Sequence, residues 1–203
     1  MKLREEVKAN EYREAIPMNK MCEKARKEIE KAKRGIEKYL AIMRAVEHTN
    51  EAEDAAFQHL FNGFYQVRRN EAWRRIFYAY MEAQKGKNLG IEEVMTYLQR
   101  NASGERVELS FASKLLHTLD PTRPIYDRKV AAYLDLETPP AYWRQDKKFA
   151  CQLANYREIE AWYRTPSAQA LADKFDRLFP EYRDQIGRVK KIDFIIWREL
   201  SDD

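Results

Sequence analysis

The stretch SFASKLLHTLDPTRPIYDRKVAAYL, residues 110–134, contains two helical patterns separated by a proline-bounded loop. Its first half spaces apolar residues three and four apart. Since Pro121 disfavours helix at the preceding residue, we expect a helix with Ser110 as its N-cap and its end at Asp120. The second half opens with Asp127, a favoured N-cap residue, followed by a short apolar pattern. The stretch therefore predicts a helix, a loop and a second, shorter helix.

The remaining sequence continues this helical periodicity and shows no sustained alternation of apolar and polar residues. The longest pattern covers residues 19–48, where apolar residues recur in a heptad-like stripe. Asn50 with Glu53 resembles a capping box, and Asn70 and Thr165 are expected to be further N-caps. With only 6 Gly and 7 Pro, the chain lacks the turn residues that an all-β fold needs. We predict a compact all-α fold of roughly eight to ten helices.

The length of 203 residues fits one all-helical domain, residues 1–203. Within it, residues 1–48 form a possible N-terminal helical extension and residues 49–203 form the core. The heptad-like stripe has two interpretations, because it can pack along its own domain or pair with a second copy. We expect the first, and therefore a monomer. A dimer through residues 19–48 is the alternative.

Composition indicates a cytoplasmic protein without a membrane segment or a metal site. The N-terminus has no apolar region of the signal-peptide type, and no apolar run has the roughly 18 residues of a membrane span. Cys22 and Cys151 lie far apart without a Cys/His cluster, which favours free thiols in a reducing compartment. The net charge of +4 is compatible with a polyanionic partner.

Lys114 and Asp127 are the candidate chemical groups of the quoted stretch. A helix N-terminus and apolar neighbours both disfavour the charged form of a lysine, so the Lys114 amine can become a nucleophile that forms a Schiff base. Asp127, if close, can stabilise positive charge that develops on a sugar ring. From the spacing alone, a solvent-exposed lysine and an aspartate that only caps a helix are the simpler interpretation.

The segment from Phe111 to Lys114, FASK, together with Pro124–Val130, PIYDRKV, resembles the core of the helix-hairpin-helix DNA glycosylases. The similarity is to the bifunctional 8-oxoguanine branch and its small bacterial relatives. The segments FQHLFNGFYQVRRNEAWRRIFYA, residues 57–79, and KKIDFIIWREL, residues 190–200, also resemble parts of small bacterial proteins near this branch.

The resemblance implies that Lys114 is the nucleophilic lysine and Asp127 the catalytic aspartate. It implies a helix-hairpin-helix fold and base-excision repair of double-stranded DNA that carries a damaged base. The implied reaction consists of base removal, imine formation and β-elimination, and it needs no cofactor. The family's hairpin has a Gly-x-Gly turn before the lysine, whose amides hold a DNA phosphate. This chain reads ERVELSFAS there. We expect the hydroxyls of Ser110 and Ser113, and free amides at the helix start, to replace it.

Other residues are candidates for nucleic-acid contacts. The basic pairs Arg68–Arg69 and Arg128–Lys129 each lie beside an expected helix N-terminus and are placed to neutralise phosphates. Phe64, Tyr65 and Trp73 can stack on a base, although rings at helical spacing also suit a core. The alternative to an enzyme is a non-catalytic helical module that binds nucleic acid or protein on the same scaffold.

Overall fold

The computed structural model describes residues 18–102, 104 and 106–200, with side chains from residue 26 onward. The N-terminal segment and the Cys22 thiol lie outside the described residues and side chains. All regular structure in the described part is helical, which confirms the predicted all-α class. Its nine α-helices are α1 (Met18–Val46), α2 (Ala55–Tyr65), α3 (Glu71–Ala83), α4 (Ile91–Asn101), α5 (Leu109–Leu119), α6 (Arg128–Tyr133), α7 (Gln145–Trp162), α8 (Pro166–Leu178) and α9 (Arg188–Glu199).

Two of the predicted N-caps are confirmed by their hydrogen bonds. The Asn70 side chain accepts from the Trp73 amide at 2.9 Å and opens α3. The Thr165 hydroxyl accepts from the Ala168 amide at 3.3 Å and opens α8. Each oxygen satisfies an amide that the helix itself leaves unpaired, which explains why the helices begin where they do.

The predicted capping box at Asn50 is wrong. Helix α2 begins after Asp54, whose carboxylate accepts from the Phe57 amide at 2.8 Å. Asn50 instead accepts from the Ala52 amide at 3.0 Å inside a turn that precedes the helix. Both residue types suit an N-cap, and the turn places the helix start four residues later.

The chain divides after Ile36 into two units, and the candidate site lies in the unit that covers residues 37–203. The division at residue 48 into an extension and a core stays a prediction. In the described part of the chain, no helix combines the length and apolar character needed to cross a membrane.

Two hydrophobic clusters form the core of the larger unit. The first joins α2, α3, α4 and α5, with Phe61 and Phe77 fully buried at its centre. The second joins α6, α7, α8 and α9 around Ile159 and Ile192. Tyr126, in the loop between α5 and α6, packs against both clusters. The loop that leads to Asp127 therefore lies between the two halves of the core.

Candidate functional site

The Lys114 ammonium lies among oxygen atoms near the protein interior. It donates to the Ser110 hydroxyl, one turn earlier on α5, at 3.1 Å. It also donates to the backbone carbonyl of Tyr65, at the end of α2, at 3.3 Å. The Phe111 ring centre is 5.3 Å from Nζ. Since carbonyls at a helix C-terminus carry partial negative charge, the end of α2 helps to hold this amine in place.

The charges around Lys114 set its proton affinity. Burial lowers the pKa of the amine below its ordinary value, because desolvation disfavours the ammonium form. Among the neighbouring charges, Asp127 has the largest effect and raises the pKa of Lys114. Lys190 lowers this pKa, and Asp193 raises it. The lowered pKa of Lys114 agrees with the expectation from sequence. The main physical cause of the lowered pKa is burial.

Asp127 is held by three donors and is 8% exposed. Its Oδ1 accepts from the amides of Lys129 at 2.8 Å and Val130 at 2.9 Å, which confirms it as the N-cap of α6. Its Oδ2 accepts from the indole Nε1 of Trp197 on α9. Both oxygens are therefore oriented, and the carboxylate is fixed between α6 and α9.

The loop before Asp127 is attached to α5 by Ser113, one residue before Lys114. The buried Ser113 hydroxyl accepts from the Tyr126 amide at 3.0 Å. On the other side of the loop, Tyr156 of α7 donates its hydroxyl to the Pro124 carbonyl at 3.1 Å. These bonds limit the movement of Asp127 relative to Lys114, which explains how a short loop brings the two groups into electrostatic reach.

His117 fixes the same loop from the next turn of α5. Its Nδ1 is 2.6 Å from the Arg123 carbonyl, and its Nε2 is 3.1 Å from the Tyr39 hydroxyl. Burial lowers the pKa of His117 to about 3, so the ring is neutral. A carbonyl only accepts, so Nδ1 carries the proton and Nε2 accepts from Tyr39. His117 thus links Tyr39 of α1 to the loop between α5 and α6 by hydrogen bonds.

The start of α5 differs from the expectation. The helix begins at Leu109 after Glu108, so the prediction of Ser110 as N-cap is wrong. The Leu109 amide donates to the side-chain oxygen of Gln152, on α7, at 3.2 Å. One amide that was expected to bind a phosphate is thus paired within the protein, and the buried carboxylate of Glu108 lies beside it. An anion is less favoured at this helix start than the sequence suggested.

Helix α9 contributes two charged residues that sequence reasoning missed. Lys190 and Asp193 form an ion pair one turn apart, and each is only 3% exposed. Burial raises the pKa of Asp193, and the charge of Lys190 lowers it in opposition. The i, i+3 spacing of a lysine and an aspartate in an apolar helix was the available signal, but such a pair usually lies at the surface.

Two buried oxygens near this pair have no hydrogen-bond partner among the described residues. They are Oδ1 of Asp193 and the hydroxyl of Tyr163, at the end of α7. The charges of Asp193 and Asp127 both act on Tyr163, whose pKa burial raises well above its ordinary value. Unpaired buried oxygens are rare and mark polar sites. The region between α5, α6 and α9 is therefore polar inside an otherwise apolar core.

A surface cleft of about 280 Å³ lies at the N-terminus of α3. Arg68, Arg69 and Arg106 line it, with Trp73 and Glu108 among its other walls. Arg69 pairs with Glu108, and its guanidinium carbon lies 5.1 Å from the centre of the Phe111 ring. The Phe111 ring contacts Trp73 of this cleft and lies 5.3 Å from the Lys114 amine, but Phe111, Lys114 and Asp127 do not line the cleft.

The predicted phosphate-binding residues have different environments. Arg128 is exposed, and Arg68 is exposed with a hydrogen bond to Gln66 at 3.1 Å. Lys129 donates to the Trp197 carbonyl at 3.0 Å and lies 4.8 Å from that indole ring, at the end of α9. Ser113 is buried and bonded within the protein. The geometry therefore favours the arginines over Ser113 as surface contacts.

The predicted base-stacking rings pack inside the protein. Trp73 and Tyr65 are each 6% exposed. Trp73 stacks on Phe77 with ring centres 5.0 Å apart, and Phe64 contacts Tyr65 edge-on at 4.7 Å. In this structure the rings serve the core, and stacking on a nucleobase stays a prediction.

Among the residues that the structure describes, no group of three His, Cys, Asp or Glu side chains has a metal-binding arrangement. Cys151 is a free thiol. No protein-family model, no curated protein and no solved structure matches the chain.

Proposed function

We propose that this protein is a DNA glycosylase with lyase activity, which removes an oxidised or otherwise damaged base through Lys114. The observation that carries the proposal is the Lys114 amine, whose pKa burial lowers, within the electrostatic reach of the oriented carboxylate of Asp127. An amine that is less easily protonated is a better nucleophile, and a fixed carboxylate stabilises a developing cation.

The proposed chemistry uses only these groups and the substrate. As the glycosidic bond breaks, the base leaves with the electron pair and takes up a proton, and Asp127 stabilises the positive charge on the sugar. The uncharged Lys114 nitrogen bonds to C1′, loses a proton, and an imine forms as the sugar ring opens and its oxygen is protonated. Loss of a C2′ proton then expels the 3′ phosphate, and water releases the lysine.

The arginine cleft supports a nucleic-acid substrate. Arg68, Arg69 and Arg106 present guanidinium groups that match phosphate geometry, and Glu108 neutralises part of this charge. Phe111 contacts Arg69 of the cleft and also the Lys114 amine, so one side chain links the cleft to the amine, although the amine does not line the cleft. The damaged nucleotide would have to rotate out of the duplex to reach it.

Borohydride trapping tests the proposal. The protein is incubated with a duplex that contains 8-oxoguanine or an abasic site, and borohydride is added to reduce any imine to a stable amine. We expect a covalent protein–DNA adduct that Lys114→Gln abolishes. Lys148→Gln is the matched control, because Lys148 lies on α7 and donates to the Ala141 carbonyl, outside the site. Absence of an adduct with both duplexes contradicts the proposal.

A non-catalytic nucleic-acid-binding module is the second candidate. It is favoured by the three hydrogen bonds that Asp127 accepts, which give this residue a structural role in capping α6 and anchoring α9. The separation of the arginine cleft from Lys114 points in the same direction. This candidate predicts salt-sensitive retention of DNA, by counterion release, without an adduct.

A further inference from the structure

A partly buried lysine and a fully buried lysine both contact one tyrosine. Lys114, on α5, donates to the backbone carbonyl of Tyr65 at 3.3 Å. Lys190, on α9, has its ammonium 5.7 Å from the centre of the ring of the same residue. The two positive charges are thus brought together by elements that lie far apart in sequence.

Lys190 is held in a cage of aromatic rings. Its Nζ lies 4.9–5.7 Å from four ring centres, those of Tyr39, Phe64, Tyr65 and Phe194. Asp193 completes the cage with an ion pair from the next turn of α9. Aromatic faces and a carboxylate both attract a cation, so the cage holds the Lys190 ammonium in a defined place.

We propose that Lys190 is a positioning residue for Lys114: Asp193 and the aromatic cage hold the Lys190 ammonium in place, and its positive charge favours the uncharged, nucleophilic form of the Lys114 amine. The inference rests on the proposed function, because it takes Lys114 as the reacting amine. It assigns to α9 an electrostatic role in addition to its packing.

Stability alone does not account for the pair. Removing two charges from water is costly, and well-packed apolar residues of similar volume are often as stable or more stable. Four aromatic rings surround the Lys190 ammonium, so an apolar side chain of similar size would suit the same surroundings. A buried ion pair beside a candidate nucleophile is therefore better explained by its charge.

The groups that face the two lysines leave few charges at the site. His117 is neutral, and burial raises the pKa of Tyr39, Tyr65 and Tyr163, so these four side chains carry no charge near neutral pH. The ionisable groups whose charges act on Lys114 are Asp127, Lys190 and Asp193. Removing the charge of Lys190 leaves Lys114 facing two carboxylates, which favours its protonated form.

Competitive acetylation measures this effect without DNA. Trace acetic anhydride is reacted with the protein over a range of pH, and acetylation of Lys114 is followed by peptide mass spectrometry. With Lys190→Met, we expect acetylation at about pH 8 to slow by roughly 3- to 10-fold and the profile to move to higher pH. Lys190→Arg keeps the charge and should retain the profile of the unmodified chain.

Lys191→Met is the matched control, since Lys191 is the next residue on α9 and pairs with Asp176 at 2.7 Å, away from the cage. A Lys190→Met profile that coincides with that of the unmodified chain overturns the inference. If this variant does not fold, Asp193→Asn replaces it. Asp193→Asn should accelerate acetylation, and an unchanged rate overturns the inference equally.

The two proposals fail separately. An unchanged acetylation profile together with an intact borohydride adduct refutes the role of α9 and leaves the glycosylase proposal standing. A shifted acetylation profile without any adduct refutes the glycosylase proposal and leaves the electrostatic effect of Lys190 on Lys114 standing.

Discussion

Replacing Asp127 by alanine removes two contributions to stability together. The first is the N-cap of α6, where one oxygen accepts two backbone amides; loss of such a cap costs about 0.5–2 kcal/mol. The second is the bond from Trp197, a hydrogen bond to a charged group, for which about 1.5–3 kcal/mol is typical. Trp197 is 43% exposed, so water can replace part of this hydrogen bond when it is lost, and the lower value of about 1.5 kcal/mol applies. We expect Asp127→Ala to lower the free energy of unfolding by about 2–3.5 kcal/mol.

Urea unfolding followed by circular dichroism measures this loss. With a denaturant slope of about 2 kcal/mol per molar, the midpoint should fall by about 1–2 M. Thr165→Ala is the control, because Thr165 caps α8 through one amide and has no bond to a distant helix like that from Trp197. It should lose about 0.5–2 kcal/mol from the cap, together with the local bond of the Thr165 hydroxyl to the Trp162 carbonyl at 2.7 Å.

Asp127→Asn separates the two contributions. Asparagine keeps an oxygen for the α6 amides, but its amide group then faces the Trp197 indole donor, so only the second bond is lost, at about 1–2 kcal/mol. Combining it with Trp197→Phe should cost little more than either change alone. The assigned link between α6 and α9 is refuted if Asp127→Ala loses no more stability than Thr165→Ala. It is also refuted if the effects of Asp127→Asn and Trp197→Phe are additive.

Three further changes test other parts of the structure. Burial raises the pKa of Glu51 to about 7 from an ordinary value of 4.5. The contribution of Glu51 to stability is therefore full below about pH 4.5 and is lost as the pH rises through about 7. The urea midpoint of Glu51→Gln should change less with pH over this range than that of the unmodified chain, and an equal change contradicts the assignment. Phe61→Ala, at a fully buried ring, should cost about 3–5 kcal/mol in the same assay, and a loss below about 1 kcal/mol would place the ring outside the core. Arg106→Ala should weaken DNA retention and reduce the slope of log affinity against log salt by about 1, whereas an unchanged slope excludes a phosphate contact there.

The helices were predictable because their signals are local. Asn70, Thr165 and Asp127 each cap a helix as expected, since an N-cap needs only a short polar side chain followed by a helical pattern. The errors at Asn50 and Ser110 have the same physical origin. Both residue types also bond locally outside a cap position. Asn50 lies in a turn and Asp54 makes the cap, whereas Ser110 lies in the first turn of a helix that begins after Glu108 without a side-chain cap.

The candidate site was only half predictable. Lys114 and Asp127 lie thirteen positions apart, and the loop between them is short enough to suggest proximity. Lys190 and Asp193 come from the last described helix, and their burial depends on rings from α1 and α2 that meet them only in the folded chain. Periodicity within one helix cannot show that a charged pair faces inward, because burial of charge is decided by partners distant in sequence.

The position of Trp197 has a practical consequence. Its ring is partly open to solvent while its N–H is attached to the carboxylate that caps α6, so its fluorescence is a built-in optical reporter of the site. A change in the polarity or hydrogen bonding of that carboxylate alters the emission of the indole directly. Once the other three tryptophans are replaced, ligand screening can therefore use this natural chromophore without an attached dye.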